Sequence, residues 1–430
     1  MGGAVEALDP VELHRLYRGK LETLVKVPVD ASLLAHWYTP GVAEASRRIA
    51  EEPMESYELT WRWNTVAIIS DGTRVLGLGD IGPEAALPVM EGKALLFKYL
   101  GGVDAVPIVV RERSVEGLVR LVKALEPSFG GVNIEDVESP KCFELLERLR
   151  RELEIPVWHD DQQGTALVVL AALYTALRLT GRRIEDARIV VVGAGAAGTA
   201  VVRYLLLAGA RPGNIVVMDS KGIIHRGRRG LSGWKRWIAE HTNTEGLEGG
   251  GEEAFRGADV AIGLSRPGAI RKEWVRLMNS DAIVFALANP VPEIWPWEAK
   301  EAGARIVATG RSDLPNQVNN SLGFPAVFRG ALSAWASSIT DSMCLAAARA
   351  LADYVEERGA SEDYIIPSMM EEEAYIREAV AVARKAFEEG VARRRESLKT
   401  VEEEIRELIK RPKKILRRLV EAGLVRQPAS

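Results

Sequence analysis

The stretch RIVVVGAGAAGTAVVRYLLLAG, residues 188–209, leaves few folds open to this chain. Apolar strand residues run straight into Gly193-Ala-Gly195-Ala-Ala-Gly198, and an apolar helix pattern follows at once. Such a turn needs its first glycine to fold tightly and its second to let a pyrophosphate reach the backbone. The third lets the helix pack on the strand. The helix start offers unpaired N–H groups to a phosphate. A purely structural glycine turn is the alternative. The strand before, the helix after, and Asp219 ending the next strand decide for a dinucleotide site at Gly193, Gly195, Ala196, Ala197 and Gly198. Asp219 is placed to accept a ribose 2′-hydroxyl, which favours NAD. Lys221, Arg226, Arg228 and Arg229 follow closely and would neutralise a 2′-phosphate, or else form a solvated loop, so NAD and NADP both stay open.

Around this turn, strand-like segments at 188–192, 214–218, 259–263, 281–286 and 305–308 alternate with helical ones. An earlier unit has strands at 65–70, 105–110 and 131–134 and a helix at 115–125. The pattern predicts an α/β protein. Its N-terminal α/β substrate domain (1–160) has the plan of amino-acid dehydrogenases. A Rossmann-type domain (161–390) follows, then a charged helical extension (391–430). Further helices are expected at 11–25 and 31–52, the latter broken by TPGV at 39–42, and at 163–179 between the two units. From 334 onward the chain reads as helical. With 430 residues the chain can bury two cores. A net charge of −4 draws it to neither nucleic acid nor anionic membrane. The longest uncharged apolar run, 166–177, falls short of the ~20 residues a span needs. The opening MGGAVEALDP has no basic flank or apolar core, so no leader is expected, and Glu6 stands where a myristoylated Gly2 wants Ser or Thr. Cys142 and Cys344 have no redox or metal spacing, so a reduced, cytoplasmic protein is expected. The basic run 393–418 reads as a solvated or subunit-packing helix.

Two acidic pairs remain. VNIEDVESPKCFE (132–144) sets Glu135 and Asp136 just past a strand, and VWHDDQQGTALVV (157–169) sets Asp160 and Asp161 between a strand and an apolar helix. Open α/β sheets gather their sites beyond the carboxyl ends of strands, so the pairs can converge. Carboxylates without a cysteine or histidine cage suit a hard cation, Mg²⁺ or Mn²⁺. Helix capping suits the same acids equally well on spacing alone.

YTPGVAE (38–44), SDGTRVLGLGDIGPEAALPVMEGKALLFKYLGGVDAVPI (70–108), IEDVESPKCFE (134–144), HDDQQGTA (159–166), VVGAGAAG (191–198) and PNQVNNSLGFPAVFRGAL (315–332) occur in one order that resembles the malic enzymes, most of all their short microbial form. The resemblance implies oxidative decarboxylation of L-malate to pyruvate and CO₂, a nicotinamide cofactor, a divalent metal and a homodimer or higher homo-oligomer. It implies Tyr38 as the acid that protonates the enol at C3 and Lys93 as the base at the C2 hydroxyl. Glu135, Asp136 and Asp161 would be the metal ligands, with Asp160 beside them. Asn289 would contact cofactor and substrate, Asn320 and Lys93 substrate, and Arg74 a malate carboxylate, although short forms often carry a small residue at that place. His159 is left out of the ligand set, since oxygen donors suffice.

The chemistry asks for the same parts. An acid and a base must act on one small substrate, with pKa values drawn from ~10 toward neutrality. A cation beside Lys93 in a desolvated cleft would lower its pKa. Two other readings stand beside this one. A malolactic-type enzyme would turn malate to lactate with no net redox. A non-catalytic dinucleotide sensor on the same scaffold would not need Tyr38, Lys93 and all three carboxylates.

Overall fold

The computed structural model describes residues 9–425. Residues 1–8, on which the leader and Gly2 readings rest, and residues 426–430 lie outside the described residues.

Strands β1 (Thr65–Ser70), β2 (Asp104–Val109), β3 (Gly131–Ile134) and β4 (Val157–His159) form a parallel sheet in the order β2-β1-β3-β4. Every residue of β1 is buried, and its unalternating sequence TVAIIS suits a strand covered on both faces. A second sheet holds β5 (Ile189–Val192), β6 (Ile215–Asp219), β7 (Gly222–Ile223), β8 (Val260–Gly263), β9 (Ala282–Ala286) and β10 (Ala304–Thr309). Its order is β10-β9-β8-β5-β6-β7, parallel except for the short β6–β7 hairpin. Strand order reverses at β1 in one sheet and at β5 in the other, and each reversal opens a crevice beyond the carboxyl ends.

The helices depart more from expectation than the strands do. The helix expected at 11–25 spans only Pro10–Tyr17, because Arg18 and Gly19 turn left-handed. The 31–52 segment divides at Thr39-Pro40-Gly41 into Ala31–Trp37 and Val42–Glu51. The long apolar helix is regular only from Thr165 to Leu179, since Asp160–Gly164 wind into a wider π-helical turn. Gly164 permits that turn: a Cβ there would stand 2.0 Å from Asp160 Oδ1.

Thr165–Leu179, which buries all but a few of its residues, joins one continuous core with Pro83–Gly101, Phe324–Ser333, Asp341–Glu357 and Glu372–Glu388. Gly330 lets two of these helices meet, for its Cβ would fall 2.3 Å from Ala379 O. The basic Leu398–Glu421 helix is amphipathic, with its charged face exposed and its other face turned inward. It puts Val401, Ile405 and Ile409, one helical stripe, into the chain's own core, with its charges on the other face. Among the described residues no helix is long and apolar enough to cross a membrane. The three helices between Pro10 and Glu51 bury no residue at all.

Candidate active site

The acidic pairs converge. Glu135 leaves β3, Asp160 and Asp161 leave β4, and parallel pairing of Ile134 with His159 sets them side by side. Carboxylate oxygens of Glu135, Asp136 and Asp161 lie within 4.8 Å of one another. Asp136 reaches in because its backbone is left-handed, with φ 55°. That conformation carries about 1–3 kcal/mol of strain and needs outside support. Asp136 O accepts the Arg74 N–H at 3.0 Å, and its own N–H donates to Asp161 Oδ2 at 3.2 Å.

These charges repel in a buried place. Burial first and Asp161 second push the Asp136 carboxyl up to about 8. Glu135 is also raised well above the ordinary range, again chiefly by burial. Asp136 Oδ2 is buried without a hydrogen-bond partner. An orphaned oxygen among three converging carboxylates, with no sulfur and no imidazole in the set, fits a hard divalent cation. His159 stays out of it: the ring is fully buried and held below its ordinary pKa by desolvation, with Nδ1 3.8 Å from Asp161 Oδ2. Capping does not account for these acids. No side-chain cap bond is made at the start of Thr165–Leu179 or of Lys141–Glu152.

Lys93, on the Pro83–Gly101 helix, points into the cluster. Its Nζ donates to Asp160 Oδ2 at 2.6 Å and pairs with Glu135 Oε1 at 2.9 Å, and it stands 4.3 Å from the centre of the Phe324 ring. Asp160, wholly buried, also accepts Trp158 Nε1 at 3.0 Å. The lowering expected of a lysine beside a cation concerns the metal-bound site; without the cation the balance runs the other way. Burial presses it down, but Asp160 and then Glu135 outweigh burial and hold Lys93 protonated, above its ordinary value.

The dinucleotide turn has the form the glycines require. Gly193 sits at φ 124°, where a Cβ would strike Leu264 O at 2.4 Å. A Cβ on Gly198 would lie 1.9 Å from Gly193 O, whereas one on Gly195 would meet nothing within 4 Å, leaving that face free for a ligand. Ala196 and Ala197 open the Ala196–Leu207 helix. A cavity of about 240 Å³ runs from Ala197 past Leu264, Ser265, Leu287 and Ala288 to Asn289 and Asn320. Asn320 adjoins the acidic cluster, its Cβ 3.3 Å from the point where Gly164 would carry one. Gly77, in the loop after Arg74, faces Asn289 O at 3.9 Å by the same construction. Arg74 itself is exposed at the edge of the cluster.

At the far end, Asp219 is occupied. Arg228 Nη2 donates to both its oxygens at 2.8 and 3.0 Å, Lys235 Nζ to Oδ2 at 2.6 Å and the Lys221 N–H to Oδ1 at 2.9 Å. Burial works against the Asp219 anion, but Lys235, the Lys221 N–H and Arg228 together keep its pKa low. Of the four basic side chains singled out in sequence, Arg228 is the one bonded to Asp219, and Arg226 turns away to Glu240 O. Lys235 escaped notice because it belongs to the next helix, Gly233–His241, where a lysine reads as surface. Tyr38 stands apart from the buried cluster, on the N-terminal arm and 73% exposed.

Comparison with known proteins places the chain in a family. The family described as "Malic enzyme, NAD binding domain" matches residues 162–387, and "Malic enzyme, N-terminal domain" matches 18–114. An NAD-dependent malic enzyme of Geobacillus stearothermophilus is 50% identical over 377 residues, 87% of this chain and 78% of that one. A bifunctional malic/malolactic enzyme of Bacillus subtilis (strain 168) is 49% identical over 90% of this chain and 94% of its own. The crystal structure of malic enzyme from Pyrococcus horikoshii Ot3 superposes with a TM-score of 0.90 at 52% identity, covering 94% of this chain and 95% of the other. Two matched domains, identity near one half along most of the chain, and a shared fold allow one conclusion: this chain belongs to the malic enzyme family.

Proposed function

We propose that the protein oxidises and decarboxylates L-malate to pyruvate and CO₂, with Lys93 and Tyr38 as its proton-transfer groups. The observation that supports it most is the placement of Lys93 Nζ between Asp160 and Glu135, at the edge of an oxygen-only cluster that adjoins the cleft. Glu135, Asp136 and Asp161 would hold Mg²⁺ or Mn²⁺, and Asn289 and Asn320 would position substrate and nicotinamide. Arg74, exposed beside Asp136, is placed for a malate carboxylate. When bound, the cation supplies positive charge at the C2 oxygen and the nicotinamide takes the hydride.

Lys93 removes the C2 hydroxyl proton. As it stands, paired with two carboxylates, it is protonated; positive charge taken up by Glu135 would weaken that pairing and release the amine as a base. Asp160 remains as its hydrogen-bond partner and keeps Nζ aimed. Tyr38 then protonates C3 of the enol, for which its exposed position must be covered. Val11, Leu24, Val25, Leu34 and Trp37 lie exposed on the same arm, an apolar surface that a second copy of the chain would bury in a homodimer.

Either dinucleotide fits the turn, since relatives named for NAD and for NADP are both similar to this chain. With Asp219 already neutralised by Arg228 and Lys235, we favour acceptance of a 2′-phosphate, hence NADP alongside NAD. The malolactic reading keeps a foothold in the Bacillus relative's bifunctional name, and product analysis separates the two.

The two proton-transfer groups are tested apart. Lys93→Ala should abolish malate oxidation. Tyr38→Phe keeps the ring and should chiefly slow deuterium exchange into the methyl group of pyruvate. Wild-type exchange in Tyr38→Phe would remove Tyr38 from the mechanism.

A further inference from the structure

Two of the segments that line the cleft run on past their strand ends, each tied to a neighbouring strand by one backbone bond, Leu264 N–H to Val192 O at 2.9 Å and Leu287 N–H to Gly263 O at 3.1 Å. Leu264-Ser265 continues from β8, and Leu287-Ala288-Asn289 continues from β9. Both end on one side chain. Glu293 Oε1 accepts the Ser265 N–H at 2.7 Å, and Oε2 accepts the Ala288 N–H at 2.9 Å. Glu293 is wholly buried, and among the described residues no cation is paired with it. Its backbone O also accepts the Ile270 N–H at 3.1 Å, which fixes the root of the side chain. Room for the carboxylate comes from Gly263, whose Cβ would stand 2.7 Å from Glu293 Cδ. A carboxylate kept in the interior on backbone N–H groups is held in a single orientation, because each oxygen has a separate donor.

We infer that Glu293 is a positioning residue for the nicotinamide half of the cofactor: it clamps the β8 and β9 extensions together and thereby sets where Ser265, Ala288 and Asn289 meet the ligand. The inference rests on reading this cleft as the dinucleotide site. Glutamine in its place keeps one acceptor but turns an NH₂ group toward one of the two N–H donors. The clamp then loses one bond and gains a repulsion. The adenosine end, at Asp219, lies on another segment, to which Glu293 makes no hydrogen bond.

Fluorescence titration of the purified protein with NAD⁺, NADP⁺, nicotinamide mononucleotide and AMP tests the assignment, with thermal melts as a check on folding. Glu293→Gln should raise Kd for both dinucleotides and for the mononucleotide about tenfold or more, with AMP changed less than about twofold. Gly263→Ala leaves the carboxylate chemically intact but pushes it off its donors, so it should reproduce the same selective loss even if Glu293→Gln folds poorly. Kinetic analysis should show the loss mainly in KM for the cofactor, with kcat reduced less. If both variants weaken AMP as much as nicotinamide mononucleotide, or leave both unchanged, Glu293 has no positioning role. If the wild-type chain binds neither dinucleotide, the reading of the cleft fails first and takes this assignment with it.

Discussion

Asp136 shows at one residue how much of the site could be read and how much could not. Its place in an acidic set was legible, because two carboxylate pairs followed strands whose ends must gather. Its left-handed backbone and its orphaned Oδ2 were not, since both depend on Arg74 and Asp161 across the sheet. The metal-free charge balance at Lys93 was not legible for the same reason. Sequence offered a cation as the neighbour, but in the folded chain the nearest charges are the anions of Asp160 and Glu135. The raised Asp136 carboxyl has a consequence in solution. Its folded pKa, about 8, exceeds the ordinary 3.8, so the folded state holds a proton that the unfolded state releases between those values. That stabilisation is complete at low pH and is lost as pH rises from about 4 to about 8. Metal-free protein should therefore melt at progressively lower temperature across this window. Mg²⁺ or Mn²⁺ should reverse the loss and raise Tm most near pH 8. Asp136→Asn should flatten the pH slope and remove most of the cation's effect. An equal response to cation in that variant would take Asp136 out of the ligand set.

At the scale of elements, strands were the most legible because buried parallel strands are continuous apolar runs, and β1 and β3 fall where the sequence places them. Helix ends depended on turns that no pattern announces, such as the left-handed stop at Arg18 and the π-helical turn at Asp160–Gly164. The basic C-terminal helix keeps an exposed charged face, and its Val401-Ile405-Ile409 stripe, which joins the core, was there to be read beside it. The dinucleotide turn was read correctly as strand, glycines and helix, but the side chains that surround Asp219 come partly from a second element. Gly233–His241 brings Lys235 back to Asp219, where it joins Arg228. Removing both cations (Arg228→Ala with Lys235→Ala) frees Asp219 to accept a ribose hydroxyl and to repel a phosphate. Kd for NADP⁺ should then rise at least about tenfold more than Kd for NAD⁺, as loss of charge-assisted bonds implies. Equal changes for the two cofactors would make the trio a surface network with no part in selection.

For the whole molecule, the N-terminal arm is the part that a single chain leaves unfinished. Leu24 is 64% exposed and Val25 71%, and no residue of the helices on either side is buried. In a monomer, charged substitutions at such exposed positions would change stability by no more than about 0.5 kcal/mol. If a second copy covers the arm, Leu24→Asp with Val25→Asp should convert a dimer seen by sedimentation into monomers and lower malate turnover together with it. An unchanged sedimentation coefficient would leave the arm without a partner. The reaction itself is met directly by one assay: malate with Mn²⁺, NAD⁺ and NADP⁺ being supplied in parallel, with reduced cofactor, pyruvate, lactate and CO₂ measured together. The structure predicts reduced cofactor and pyruvate formed in equal amounts with CO₂, and none of them after chelation of the metal. Lactate and CO₂ without net reduction of either cofactor, or no consumption of malate at all, would contradict it.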